Sequence, residues 1–253
     1  MNARFAQALL GWKPSKKNKL GWALVPNSAD SDNAGSLKLA AGMLDALEVQ
    51  QGTRSAVPGS PGKPLEDAVR GDLEQQLREL HPDRSWRVER GVKIAQFDQY
   101  VHLNELHQLV KSNPDLRITI GTDYLIEPDV TVALDQLKTA SDRPLLHAAI
   151  SCKWTIRSDR VQNIRHEFLQ MIRHRRGRQP HLVTVTAEPL PTRLAAIARG
   201  TGEVDAVYHI AYDALAASVA ANANTEQSEA WHEVTGQRRL LDYGLLLETL
   251  ASG

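Results

Sequence analysis

LLHAAISCKWTIRSDR, Leu145 to Arg160, is the stretch that decides how this chain folds. Leu145 to Trp154 is mostly apolar and follows a polar segment ending at Pro144, the pattern of a buried strand. The rest turns polar and opens a helix expected over Ser158 to His174. A helix start favours acids, because its free N–H groups carry partial positive charge. Here Arg157 and Arg160 bracket Asp159, and Lys153 stands just before. That arrangement asks for something anionic opposite.

Working outward, strands and helices alternate. Strands are expected at Trp86 to Val92, at DVTVAL (Asp129 to Leu134, opened by Pro128), at HLVTVTA (His181 to Ala187) and at Val204 to Ile210. Arg117 to Ile120 is a further short strand candidate. Helical spacing appears over Ala34 to Leu47, with Ser36 as a possible cap, and over Leu65 to Leu80, stopped by Pro82. It recurs over Phe97 to Val110, ended near Asn113-Pro114, and over Arg193 to Arg199 and Asp213 to Ala221. Residues 51–64, rich in Gly, Pro and Ser, read as a loop. The tail is undecided. Such alternation predicts an α/β, mixed α+β core rather than a bundle or a sandwich.

At 253 residues the chain can bury one sizeable core, or one core with an appendage. Hydrophobic residues at 42% and charged residues at 24% suit a soluble globular protein. No apolar run approaches the ~18 residues of a membrane span. The opening MNARFAQALLGWK is too weakly apolar for a signal peptide. Cys152 is the only cysteine, which excludes an internal disulfide and makes a reducing cytoplasm the default.

The 30 basic and 30 acidic residues cancel, which argues against a general nucleic-acid coat protein but not against a basic cleft. Between Arg157 and Arg178 seven arginines face only Asp159 and Glu167, a local excess that could meet a polyanion. Taken alone, such a run is more simply a solvated basic helix.

Asp129 opens one strand and Lys153 ends the next, with a hairpin-like link around Gln136 to Pro144. An antiparallel pair would bring both to one end of the sheet. Alternation puts Ser151 and Lys153 on one face and Cys152 on the other, so that Cys152 offers its carbonyl rather than its thiol. Glu167 shares a helical face with Arg160, with Ile164 between. Two carboxylates and a lysine suit a hard cation such as Mg²⁺ and phosphodiester hydrolysis. The spacing is also common by chance: Asp129 could cap a turn, and Lys153 could snorkel at a strand end. His102 and His107 are wrongly spaced to act as paired ligands on one helical face, and GSPGKP lacks the phosphate-loop pattern.

PLLHAAISCKWTIRSDRVQN, followed by Glu167, resembles the catalytic and recognition segment of the CCGG family of type II restriction endonucleases. The resemblance continues through RHRRGRQPHLVTVTAEPLPTR and GTGEVDAVYH and back through GTDYLIEPDVTV. It reaches more thinly to QYVHLNEL and VPNSADS, so it is strong from about Gly121 to Tyr212 and looser before. It implies one restriction-endonuclease-like domain over residues 1–253, a mixed sheet flanked by helices. It implies Asp129 as central metal ligand, the Cys152 carbonyl as second ligand and Lys153 as catalytic lysine. Glu167 is the relocated acid, and Glu66 in KPLEDAV is a further active-site acid. Mg²⁺ is the implied cofactor, two ions per site.

Arg157, Asp159 and Arg160 resemble the family's base-reading group. An arginine fork pairs with O6 and N7 of guanine, and an aspartate accepts from cytosine N4. Asp30 and Arg193 match positions that read an outer G·C pair. The sequence departs from the pattern at Ser60, where a PGQ run becomes PGS with a shorter reach, and at Asp32, which replaces a serine. The implied activity is cleavage of double-stranded DNA at GCCGGC, before the first C, leaving 5′ CCGG overhangs. The implied assembly is at least a dimer and, by the resemblance, a tetramer, with no membrane partner. The rival readings are a catalytically inactive or differently targeted DNA-binding protein on the same fold, and an unrelated metabolic α/β enzyme.

Overall fold

The computed structural model describes residues 2–51, 61–135, 142–200 and 202–251, with residues 158–160 described as backbone. The chain opens with helix α1 (Ala6–Leu9), an antiparallel pair β1 (Trp12–Pro14) and β2 (Leu24–Pro26), then α2 (Ala34–Ala46) and α3 (Gly62–Leu80). β3 (Trp86–Glu89), α4 (His102–Ser112) and α5 (Pro114–Ile120) follow. The centre comprises β4 (Val130–Leu134), β5 (Leu145–Lys153), α6 (Ser158–His174), β6 (His181–Thr186), α7 (Pro191–Ala198) and β7 (Ala206–His209). α8 (Tyr212–Asn222) is the helix expected over Asp213 to Ala221, and α9 (Thr225–Gly236), β8 (Leu240–Asp242) and α10 (Gly244–Ala251) form the tail that the periodicity left undecided.

Six strands make the main sheet in the order β3-β4-β5-β6-β7-β8. β3, β4 and β5 are antiparallel neighbours; β5 through β8 run parallel. This is the α/β core that the alternation predicts, in the form of the mixed sheet flanked by helices that the resemblance implies. β4 and most of β5 are buried, which is why both read as mostly apolar runs. α3 supplies Leu65, Val69, Leu73 and Leu77 to the core, one per turn, while α6 supplies Ile164, Phe168 and Met171. Fully burying each such side chain contributes about 1.5–3 kcal/mol.

Register places the chemistry. Val130 pairs with Ile150, so Asp129 enters β4 at the end where β5 delivers Lys153. Glu89 pairs with Thr131, so Arg90 leaves β3 at that same end. Lys153, Thr186, His209 and Asp242 mark the carboxyl ends of the four parallel strands in adjacent register. A bulge at Val132/Ala133 leaves His147 of β5 without a cross-strand partner; its Nε2 bonds the Leu250 carbonyl of α10 instead, at 2.8 Å.

Several expectations are corrected. Arg117 to Ile120 is not a strand but the end of α5, although its residues alternate. Asn113 accepts from Asp115 N and Leu116 N, and Pro114 fits the first helical position. The cap signal outweighed the alternation. Asn33, not Ser36, caps α2; Ser36 Oγ instead accepts from Asp30 N at 2.9 Å. The helix expected from Phe97 begins at His102, after two short 3₁₀ turns. α3 begins at Gly62, inside the stretch read as a loop, with Pro64 tolerated in its first turn. Residues 52–60 of that loop, and 136–141 of the β4–β5 link, lie outside the described residues.

Candidate active site

Asp129 stands where the β4–β5 hairpin delivers three donors to one oxygen. Its Oδ2 accepts from Cys152 N and Lys153 Nζ, each at 2.7 Å, and from Ser151 Oγ at 3.4 Å. Among the described residues its Oδ1 accepts no hydrogen bond. Both side chains of the Asp129–Lys153 pair are about a quarter exposed, so the pair reaches solvent without being fully hydrated.

Lys153 opens onto a cleft of about 420 Å³ lined by Glu66, Cys152, Asn163, Ile164 and Glu167 among others. Asp129 is not part of that lining and joins it through the Lys153 ammonium. Glu167 arrives from the middle of α6, on the same face as Ile164. Burial pushes its carboxyl above the usual range; the Lys153 charge opposes this and the Asp129 charge adds to it. Burial likewise keeps the Cys152 thiol protonated, leaving that residue only its backbone to offer.

Glu66 arrives from the second turn of α3. It is held by Arg90, whose Nε lies 3.1 Å from Glu66 Oε2 and whose Nη2 also reaches that oxygen, while Nη1 pairs with Asp67. Sequence reasoning missed Arg90. Only the β3–β4 register reveals that a residue just past β3 lands beside the acids.

A second hollow, of about 250 Å³, lies beyond the end of β5. Asp30, Ile156, Arg157, Val161, Thr192 and Arg193 line it. Arg157 occupies the cap position of α6 with extended backbone and makes no side-chain cap. Arg193, in the first turn of α7, donates from Nη2 to Asp30 Oδ2 at 2.5 Å. That bond and the Arg193 charge hold the Asp30 carboxyl below its usual range. Asp32 N donates to Asp30 Oδ1 at 3.1 Å and shapes the turn. Asp159 and Arg160 lie in the first turn of α6, beside Arg157 in the chain. Ser60 lies outside the described residues.

The structure thus brings Lys153, Glu167 and Glu66 into one cleft, with Asp129 bonded to Lys153. It brings Arg157, Asp30 and Arg193 into the next hollow, and the short segment after Lys153 connects the two. The histidines do not join in: His107 Nδ1 lies 3.2 Å from the Tyr124 hydroxyl, and burial lowers His102. Among the described residues no three His, Cys, Asp or Glu side chains sit close enough to hold an ion by themselves.

A mixed sheet with an acid–lysine pair at the end of its central hairpin is the layout of the restriction-endonuclease-like nucleases. The family model described as NgoMIV restriction enzyme matches residues 15–140 and 134–250. The type II restriction enzyme NgoMIV of Neisseria gonorrhoeae is 37% identical over 219 aligned positions, covering 74% of this chain and 76% of the relative. The chain belongs to the NgoMIV restriction enzyme family, and is by that membership a site-specific deoxyribonuclease.

Proposed function

We propose that this protein is a Mg²⁺-dependent type II restriction endonuclease that cuts GCCGGC before the first C, leaving 5′ CCGG overhangs. The observation that carries the reading is the Asp129–Lys153 pair opening onto the cleft of Glu66 and Glu167, beside a hollow bearing Arg157, Arg193 and Asp30.

The available donors are the hard oxygens of Asp129, Glu66, Glu167 and the Cys152 carbonyl. This suits Mg²⁺, which keeps waters and substrate phosphates in its shell rather than filling it with side chains. Asp129 and the Cys152 carbonyl would hold one ion; Glu66 and Glu167 would hold a second, directly or through water. Bound there, Mg²⁺ supplies charge for the phosphate oxygens and an activated water for in-line attack.

The chain's own residues do the rest. Lys153, oriented by Asp129, holds its charge toward the scissile phosphate and stabilises what builds there in the transition state. Arg90 keeps Glu66 aimed at the cleft. Arg157, Asp159 and Arg160 enter the major groove from the start of α6, and Arg193 with Asp30 reads the outer pair, while Asp32 and Ser60 shape the flanking contact. Recognition and cleavage share one strand–helix junction, so correct pairing and placement of the phosphate are mechanically linked. A palindrome requires at least a two-fold dimer, and a tetramer is the assembly we favour. The whole chain acts as one domain in the cytoplasm; no helix of the described residues is long and apolar enough to cross a membrane.

The test is a plasmid carrying one GCCGGC and several other CCGG sites, incubated with the protein and Mg²⁺, with the ends sequenced. Cuts confined to GCCGGC with CCGG overhangs are expected. Cuts at other CCGG contexts would remove the outer-pair reading but keep the nuclease. Binding without cutting under any metal or two-site condition would leave a DNA-binding protein.

A further inference from the structure

Glu188, just beyond β6, is fully buried, yet it carries a carboxylate. Its Oε2 accepts from Ile156 N at 2.7 Å, and its Oε1 accepts from Leu190 N at 3.1 Å. Arg193 Nη1 lies 3.8 Å from Oε2. Ile156 is the residue before Arg157, and Leu190 is the cap residue of α7, which carries Arg193. One carboxylate therefore ties down the backbone of both elements that line the reading hollow. Behind it, Glu188 N donates to Thr186 Oγ1 at 3.1 Å, and the Glu188 carbonyl lies 3.2 Å from His209 Nε2. The anchor is itself fixed to β6 and β7.

A buried charge is a poor way to gain stability, since an apolar side chain of similar size would do as well. What a carboxylate offers is two acceptor oxygens in one rigid plane, able to hold two separate amides at a fixed separation. Asp30 and Glu188, on either side of Arg193, also set the direction of its guanidinium.

We infer that Glu188 is a specificity-determining positioning residue: it couples the inner-base reader at Arg157 to the outer-base reader at Arg193 by holding both backbones on one carboxylate. This rests on the reading of those two arginines as base readers. Glu188 touches no DNA and acts only through them. Its role extends the specificity machinery from the hollow to the end of the sheet beneath it.

The test is Glu188→Gln in the full chain. Single-turnover cleavage would be followed on three duplexes: GCCGGC, one with the outer pair replaced and one with an inner pair replaced. Glutamine keeps the size but turns one acceptor into a donor facing an N–H. Discrimination should fall by about tenfold against both altered duplexes together, the order of one base contact. A uniform loss of rate on all three duplexes would make Glu188 a merely structural residue and overturn the inference, as would unchanged discrimination. Should Glu188→Gln fail to fold, Arg193→Lys serves as the second arm. Coupling through Glu188 requires that Arg193→Lys weaken inner as well as outer discrimination, and loss at the outer pair alone would overturn the link. If the unmutated chain already cuts all three duplexes alike, the base-reader assignment itself fails, a result distinct from either arm.

Discussion

Replacing Lys153 with methionine keeps an unbranched side chain one atom shorter and removes its charge. The structural consequence can be bounded. Nζ lies 2.7 Å from Asp129 Oδ2, and at the effective dielectric of a partly buried site a bare pair at that distance is worth about 6 kcal/mol. Desolvation and exposure of about a quarter of each side chain consume most of that, leaving a net contribution of about 1–2 kcal/mol. For a chain of this size that is a fall in melting temperature of roughly 2–8 °C. Asp129 still keeps its bond from Cys152 N. Catalysis should lose far more. Removing one preorganised donor to a developing oxyanion costs about 10²–10³ in rate, or about 3–4 kcal/mol. Lys153→Met should therefore cut GCCGGC duplex at least a hundredfold more slowly while binding it with little change. The assay pairs single-turnover cleavage in Mg²⁺ with fluorescence-anisotropy binding in Ca²⁺, both well below the melting temperature. Cleavage within tenfold of the unmutated chain would refute the assignment of Lys153. An activity loss that merely follows the unfolded fraction would refute the catalytic argument while leaving the ion pair intact.

Arg157→Lys keeps the charge but loses the planar fork; it should cost about 1–3 kcal/mol of discrimination at one inner G·C pair, read by competition binding against a substituted duplex. Gly42→Ala in α2 should destabilise the fold, because a methyl there would meet Ser218 Oγ and Asn222 Nδ2 of α8; we expect a loss of about 1–3 kcal/mol in urea unfolding. Leu73→Ala should cost about 2–5 kcal/mol by opening a cavity under α3, again read by urea. Glu188 predicts a pH dependence. Burial raises its carboxyl from 4.5 to about 7 in the folded chain. A folded value above the unfolded one means that its contribution is fully present below pH 4.5 and is lost as pH rises through about 7, by roughly 3 kcal/mol in all. Glu188→Gln should flatten that part of the stability–pH profile, and an unchanged slope between pH 5 and 7 would contradict the burial argument.

The local architecture around the site was legible because apolar period and strand length are properties of short segments. The apolar run ending at Lys153, the helix beginning at Ser158 and the antiparallel pairing of DVTVAL with LLHAAISCK all came from such patterns, and their register brings Asp129 and Lys153 together. The errors arose where two local signals competed. R-I-T-I in Arg117 to Ile120 alternates like a strand, but Asn113 and Pro114 cap a helix there, and nothing packs on the alternating side chains to reward a strand: Ile118 remains 85% exposed.

Long-range neighbours were another matter. The resemblance nominated Glu66, Asp30 and Arg193, but only the packed structure puts Glu66 against Arg90, or joins Asp30 and Arg193 across 163 residues of chain. Glu188 carried no sequence signal at all, since an acid after an apolar strand ordinarily reads as the first solvated residue of a loop. By itself the sequence determined which segments become strands and helices and which chemistry waits at their ends, because those depend on nearest neighbours along the chain. Tertiary structure decided which of those ends meet, and that a carboxylate two residues past Thr186 is buried between two reading elements, because strand order and helix packing are settled by burial summed over the whole core.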